Sequence, residues 1–145
     1  MIPLFQMRAL IWAITVLLVC VVAVRRGGPY ERLASGGLLA AWAMTMLVYR
    51  SQFTQTEWGI FVVDGAMLAL LTWIALRSAR YWPLFAAGFH LLAAVTHVAN
   101  MVDVKVGAWA YLTAEIIWGY LLAATIGYGA WTSRPDSPRD APSRR

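Results

Sequence analysis

The chain has 145 residues, of which 61% are hydrophobic and 13% are charged, and its formal net charge is +5. Soluble domains average about 45–50% apolar and 25% charged residues, so a soluble fold of this size would expose too much apolar surface. The composition thus excludes an ordinary soluble domain and predicts an all-α, polytopic transmembrane helical bundle with the lipid bilayer as its surroundings. Nucleic acid is not indicated as a partner, because no helix offers a basic face.

The first apolar run covers residues 9–24, and its sixteen residues fall just short of the ~17–25 that usually cross a bilayer. A cleaved signal peptide is the alternative interpretation. No small-x-small cleavage site follows the run, however, and Arg25-Arg26 come directly after it. We therefore expect a retained membrane helix. Cys20, the only cysteine, is expected to be an inert thiol inside it.

The second and third helices are predicted over residues 33–49 and 58–76, after a break at Gly27-Gly28-Pro29. The second is short and rich in small residues. Its glycines at 36 and 37 pair with alanines four residues later, a spacing that lets a neighbouring helix approach closely. Ahead of the third helix, Thr54–Glu57 fits a capping box.

The fourth and fifth helices are predicted over residues 83–102 and 106–131, with a tight turn at 103–105 between them. Pro83 suits a first helical turn. Gly119, Ala123 and Gly127 form a second stripe of small residues. Residues 1–131 are thus predicted to form one transmembrane domain, and residues 132–145 a disordered cytoplasmic tail, because they have no apolar content to bury.

The basic residues predict the orientation. With the N-terminus outside the cytoplasm and five helices, nine arginines lie inside and three basic residues outside, as the positive-inside rule requires. Arg also outnumbers Lys eleven to one, which hints at a GC-rich bacterial genome and hence at the cell inner membrane. Aromatic residues near the predicted interfaces need no functional explanation; they are Trp58, Trp82, Trp109 and Trp131.

Four polar residues fall within the predicted spans: Asp64, His90, His97 and Glu115. A charge at the bilayer centre costs about 2.5–3.5 kcal/mol, so such residues are rare. The two histidines are seven residues apart, share a helix face and lie about 10 Å apart along the axis. Both carboxylates fall between them in depth. If the third, fourth and fifth helices pack together, we expect these four side chains to meet in the outer half of the membrane.

Three interpretations of this set remain open. The first is that the residues are structural polar contacts that hold helices together. The second is that they form a proton- or ion-handling site. Finally, His90, His97, Asp64 and Glu115 are candidate metal ligands, with haem, zinc or iron conceivable, although two histidines one heptad apart cannot ligate one haem iron. The sequence names no cofactor.

No phosphate loop, zincin motif, paired-cysteine spacing or Ser-His-Asp pattern is present, so the sequence does not indicate an enzyme. Size, short loops and small-residue faces favour an accessory or assembly subunit of a larger inner-membrane complex, whose partners are other membrane subunits or further copies of the chain. Two alternatives stand beside it. One is a small proton- or cation-coupled transporter or channel acting as an oligomer. The other is a metal- or haem-binding membrane protein.

Overall fold

The protein is an all-α bundle of five helices in a computed structural model that describes residues 4–48, 58–102 and 108–133. Two connections are very short. Only Gly27 and Gly28 separate the first two helices, and residues 78–81 separate the third from the fourth. The helices are α1 Leu4–Arg26, α2 Pro29–Val48, α3 Trp58–Arg77, α4 Trp82–Val102 and α5 Ala108–Trp131.

The helices form a closed ring in which each packs against the next in sequence and α5 packs back against α1. α2 also touches α5 across the ring. The space between them is filled by apolar side chains, with Leu71, Ile74 and Ile126 fully buried at its centre. Such up-and-down packing is the usual result of short connections between helices.

The outer surface of the bundle requires lipid. The spans Ala9–Arg26, Gly59–Arg77, Trp82–Ala99 and Ala110–Trp131 are long and apolar enough to cross a membrane. No more than 28% of any of these spans is buried inside the bundle, so most of each apolar surface faces outward. This arrangement is stable in hydrocarbon and not in water. The chain is therefore a small multi-pass membrane protein, and α2 is the one described helix that is not apolar enough to count as a span.

One end of the bundle carries a ring of arginines, and we call it the arginine end. α1 and α3 finish there and α2 and α4 begin there, so their short connections lie on the same side. The described residues that supply the positive charge are Arg25, Arg26, Arg32, Arg77 and Arg80. Their clustering is the pattern from which the cytoplasmic side was predicted.

The first two helices are longer than the apolar runs that predicted them. α1 starts at Leu4, five residues before residue 9, because residues 4–8 continue the helix. α2 starts at Pro29 and not at residue 33, because proline suits a first helical position and Glu31 suits the first turn. The connection between α1 and α2 is therefore only two residues long, Gly27 and Gly28. A Cβ at Gly27 would lie 2.6 Å from the Ala23 carbonyl oxygen, so the turn needs glycine there.

The small-residue stripes are used mainly inside the bundle. A Cβ on Gly119 would come 3.3 Å from the Trp12 ring, and one on Gly127 would come 3.6 Å from Val19, so this stripe brings α1 close to α5. Gly37 likewise faces α3. Gly36, one residue earlier, has open space beside it among the described residues.

Some predicted features lie outside the described residues. They are the capping box at Thr54–Glu57, the turn at residues 103–105 and the tail from residue 134 onward. Thr132 and Ser133, which were predicted to open the tail, are described and make hydrogen bonds to Arg80.

Candidate intramembrane site

His97 lies at the centre of a polar cluster between α3, α4 and α5. Its Nε2 atom is 3.0 Å from Asp64 Oδ2 and 3.5 Å from Glu115 Oε2. Its Nδ1 atom is 2.7 Å from the Tyr111 hydroxyl. We call Asp64, His97, Tyr111 and Glu115 the His97 cluster. Three helices thus contribute to one set of contacts, because each of these residues stands three to seven positions from the end of its helix that lies away from the arginines.

The imidazole can bond to both sides of the cluster at once. In its neutral form, Nε2–H donates to the Asp64 carboxylate and the Tyr111 hydroxyl donates to Nδ1. In its protonated form both ring nitrogens donate. The ring of Tyr111 also meets the His97 ring edge to face, with 5.6 Å between the centroids. Either protonation state therefore fits the same geometry.

The Glu115 carboxylate is hydrogen-bonded less well than the Asp64 carboxylate. Nε2 of His97 has a single proton to donate, and its 3.5 Å distance to Glu115 exceeds that of a good hydrogen bond. The second oxygen of this carboxyl, Oε1, is buried and has no hydrogen-bond partner among the described residues. A buried polar atom without a partner costs about 1–3 kcal/mol and calls for an explanation.

The charges of the cluster do not balance. Even with a protonated imidazole, two ionised carboxylates leave one negative charge in excess. A low-dielectric surrounding penalises that charge strongly. The arrangement therefore favours the uptake of one further proton or of a cation at Glu115.

His90 takes a different position from the one expected. It lies on the same face of α4 as His97 but about two turns deeper, and its Nε2 atom is 3.0 Å from the backbone oxygen of Asp64. Its side chain is buried. The structure thus brings three of the four candidate side chains together, while His90 contacts the backbone of α3 and neither carboxylate.

Within the part of the chain that the structure describes, no group of three or more His, Cys, Asp or Glu side chains has the arrangement of a metal site. In the His97 cluster, the imidazole nitrogen that could ligate a metal lies at direct hydrogen-bonding distance from Asp64.

A second polar network closes the arginine end. Arg80 Nη1 donates to Glu31 Oε1 at 2.9 Å, and the Trp82 indole N–H donates to the same oxygen at 2.9 Å. Arg80 also donates to the hydroxyls of Ser133 and Thr132. We call these five residues the Arg80 network. It ties the start of α2, the turn between α3 and α4, and the end of α5 to one another.

The chain matches no known protein-family model, no curated protein and no solved structure at a significant level.

Sequence reasoning missed the Arg80 network. Trp82 was predicted to be an interface aromatic, but its side chain is only 4% exposed and points inward to Glu31. Arg80 was counted only as a topology signal. The pattern Pro29-x-Glu31 could have revealed the acid, because it places a carboxylate in the first turn of a helix that starts at proline. Nothing in the sequence pairs that acid with an arginine 49 residues later.

Proposed function

We propose that the His97 cluster reversibly binds a proton or a small monovalent cation, and that the protein serves proton- or cation-coupled transport in the inner membrane of a bacterium. One observation carries this proposal: two carboxylates converge on a single imidazole nitrogen, and Glu115 retains a buried oxygen without a partner among the described residues. Intramembrane acids and imidazoles in this arrangement are typical of proton relays and ion pathways.

A purely structural contact would be expected to look different. A polar group that only holds helices together gains most when all its donors and acceptors are paired. Asp64 and Tyr111 meet that condition through His97. Glu115 does not, and its excess charge makes the bundle less stable unless a ligand compensates for it. The unbalanced half of the cluster is what favours a binding role.

Access to the cluster supports uptake from the side of the membrane opposite the arginines. The cluster lies roughly 5–10 Å from the nearer helix ends, at about 1.5 Å per residue. The side chains of His97, Asp64 and Glu115 are 16%, 18% and 23% exposed. Towards the arginine end, the axis is filled by apolar side chains such as Leu38 and Ile126. Translocation through the membrane therefore calls for a pathway between copies of the chain.

The test is ion flux in liposomes that contain the purified protein. A pH-sensitive dye inside the vesicles follows proton entry, and parallel assays with Na⁺ and K⁺ gradients follow cations. We expect Glu115→Gln and Asp64→Asn to abolish the flux that the wild type supports. Wild-type flux in both variants would rule out a role for the cluster in transport.

A matched pair of substitutions separates chemistry from packing. His97→Gln and His90→Gln make the same change on the same face of α4. We expect His97→Gln to reduce flux strongly, because it removes the titratable group between the two carboxylates. His90→Gln should leave the flux close to wild type, because the amide can still donate to the Asp64 backbone oxygen. Equal losses in both variants would point to a general packing effect.

The second candidate function is that of an accessory or assembly subunit, and outward-facing glycines favour it. A Cβ added to Gly36, Gly65 or Gly88 would meet nothing within 4 Å in the described part of the chain, apart from the backbone of its own helix. Glycine inside a helix costs about 0.5–1 kcal/mol relative to alanine. Small residues on the lipid-facing side allow another helix to pack closely.

Purification in mild detergent tests this second function. Substitution of Gly36 or Gly65 by leucine should release any co-purifying membrane subunit, whereas Gly36→Ala should retain it. A wild-type protein that purifies as a clean monomer would contradict a subunit role.

A further inference from the structure

An open cavity lies at the arginine end, beside the Arg80 network. Its volume is about 510 Å³. The lining comes from three separate elements: the start of α2 at residues 28–31, Arg80 in the turn between α3 and α4, and Thr132 and Ser133 after α5. Its lining combines polar side chains, among them Arg80 and Glu31, with apolar atoms.

Arg80 lines this cavity and does not use all of its hydrogen-bond donors. A guanidinium group has five N–H donors. Three of them are used, two by Nη1 for Glu31 and Ser133 and one by Nη2 for Thr132. The other two, on Nε and Nη2, have no partner among the residues that the structure describes, and the side chain is 36% exposed. Its contacts with Glu31 and the two hydroxyls fix the direction of the guanidinium plane.

The charge around the cavity favours an anion. Five arginines and one acidic residue lie at this end in the described part of the chain, and Glu31 is already paired with Arg80 and Trp82. Each arginine near an anionic membrane surface contributes about 1 kcal/mol of attraction.

The position of the cavity matches the headgroup layer. The spans Ala9–Arg26 and Gly59–Arg77 end on this side of the bundle, and the span Trp82–Ala99 begins there. Arg26 stacks on Trp131 at 3.9 Å from the ring centroid, a contact typical of residues at the membrane interface. Phosphate groups are the most abundant anions at that depth.

We propose that this cavity binds a phosphate group through the two open N–H donors of Arg80. The planar fork of arginine suits phosphate oxygens, and basic pockets between transmembrane helices recognise phospholipid headgroups. The phosphate belongs either to a phospholipid headgroup or to a free phosphate anion. This site is separate from the His97 cluster and does not rest on the function proposed for it.

The test measures thermal unfolding of the full chain in an uncharged detergent with three additives. They are a short-chain phosphatidylglycerol, the matching diacylglycerol without phosphate, and inorganic phosphate. We expect phosphatidylglycerol to raise the unfolding midpoint and diacylglycerol to have no effect. A rise with inorganic phosphate as well would identify the free anion as sufficient. No rise with either phosphate compound would overturn the proposal.

Two substitutions locate the site. Arg80→Lys keeps the charge but loses the fork, so the apparent affinity for the phosphate compound should fall about tenfold or more. Arg77→Lys is the matched control and should bind like the wild type. Equal affinities in the two variants would contradict a site at Arg80.

Pro29→Glu provides a second route if Arg80→Lys does not fold. It adds a negative charge at the exposed rim of the cavity, and an acid in the first turn of α2 is favourable for the helix. We expect this variant to fold and to lose the response to phosphate. A retained response would also overturn the proposal.

Discussion

The two ends of the bundle pair their charges in opposite ways. In the Arg80 network, one carboxylate meets one guanidinium, and the bonded oxygen of Glu31 also receives the indole N–H of Trp82. In the His97 cluster, two carboxylates share one imidazole nitrogen, and Glu115 keeps an oxygen with no partner among the described residues. The first has balanced charges and the second has an excess of acid.

This difference separates stability from function. Removal of one partner from a balanced buried pair leaves the other charge uncompensated, so its loss should clearly destabilise the protein. An unbalanced cluster destabilises the bundle while it is intact. Its presence inside a membrane therefore indicates a functional role and not a stabilising one. The following substitutions test that contrast, starting with the largest expected change in the free energy of unfolding.

Removal of Arg80 should destabilise the protein most. Arg80→Ala leaves the buried Glu31 carboxylate without its charge partner and removes three hydrogen bonds. We expect a loss of about 3 kcal/mol, at the low end for buried pairs because Arg80 is 36% exposed. Denaturant unfolding in detergent measures it. Arg77→Ala is the control, since Arg77 is exposed. A similar loss in this variant would mean that the Arg80–Glu31 pair is not specifically stabilising.

Gly129→Ala should have the next largest effect. A Cβ at this position would lie 2.7 Å from ring atoms of Trp82, whose ring cannot move without breaking the bond to Glu31. Overpacking of this kind costs about 1–3 kcal/mol. Gly88→Ala is the matched control, because its Cβ meets open space among the described residues, and it should leave stability unchanged or raise it. The unfolding midpoints of the two variants are compared in the same detergent. Equal midpoints would contradict the close packing of Gly129 against the Trp82 ring.

Trp82→Phe should show how much the indole hydrogen bond contributes to the free energy of unfolding. The ring still fills most of the space, but Glu31 Oε1 loses one of its two donors. We expect a loss of about 1–2 kcal/mol in the free energy of unfolding. Trp73→Phe serves as the control on an exposed ring. An unchanged stability for Trp82→Phe would mean that the bond contributes little.

Glu115→Gln should change stability least. It removes an uncompensated charge and keeps the shape of the side chain, so the free energy of unfolding should stay within about 1 kcal/mol of wild type or rise. Glu31→Gln makes the same chemical change in the balanced network and should be clearly destabilising. If Glu115→Gln proved the more destabilising of the two, the charges of Glu115 would be structural and not functional.

Much of the fold follows from patterns that the sequence displays directly. Long apolar runs predict the all-α membrane bundle, and the five predicted helices correspond to α1–α5. The small residues at 119, 123 and 127 predict a close helix approach, since only their size allows it. The start of α2 was misplaced because Glu31 and Arg32 interrupt the apolar pattern although the helix already includes them.

Part of the candidate site could be predicted from the sequence. The positions of Asp64, His97 and Glu115 along their helices place all three in the outer half of the membrane, because depth depends only on the position within each helix. Which imidazole meets the acids depends on how α4 is rotated against α3 and α5, and no pattern along one chain fixes that. For the same reason, the sequence did not predict the hydrogen bond between Tyr111 and His97 or the pairing of Glu31 with Arg80.

Infrared difference spectroscopy of the reconstituted protein tests the excess of acid in the His97 cluster most directly. The neutral carboxyl band is followed across a pH titration, with and without Na⁺. We predict a neutral carboxyl band in the wild type that Na⁺ weakens if a cation replaces the proton, and that is absent in Glu115→Gln. Identical titrations in the wild type and in Glu115→Gln would contradict a binding site at Glu115.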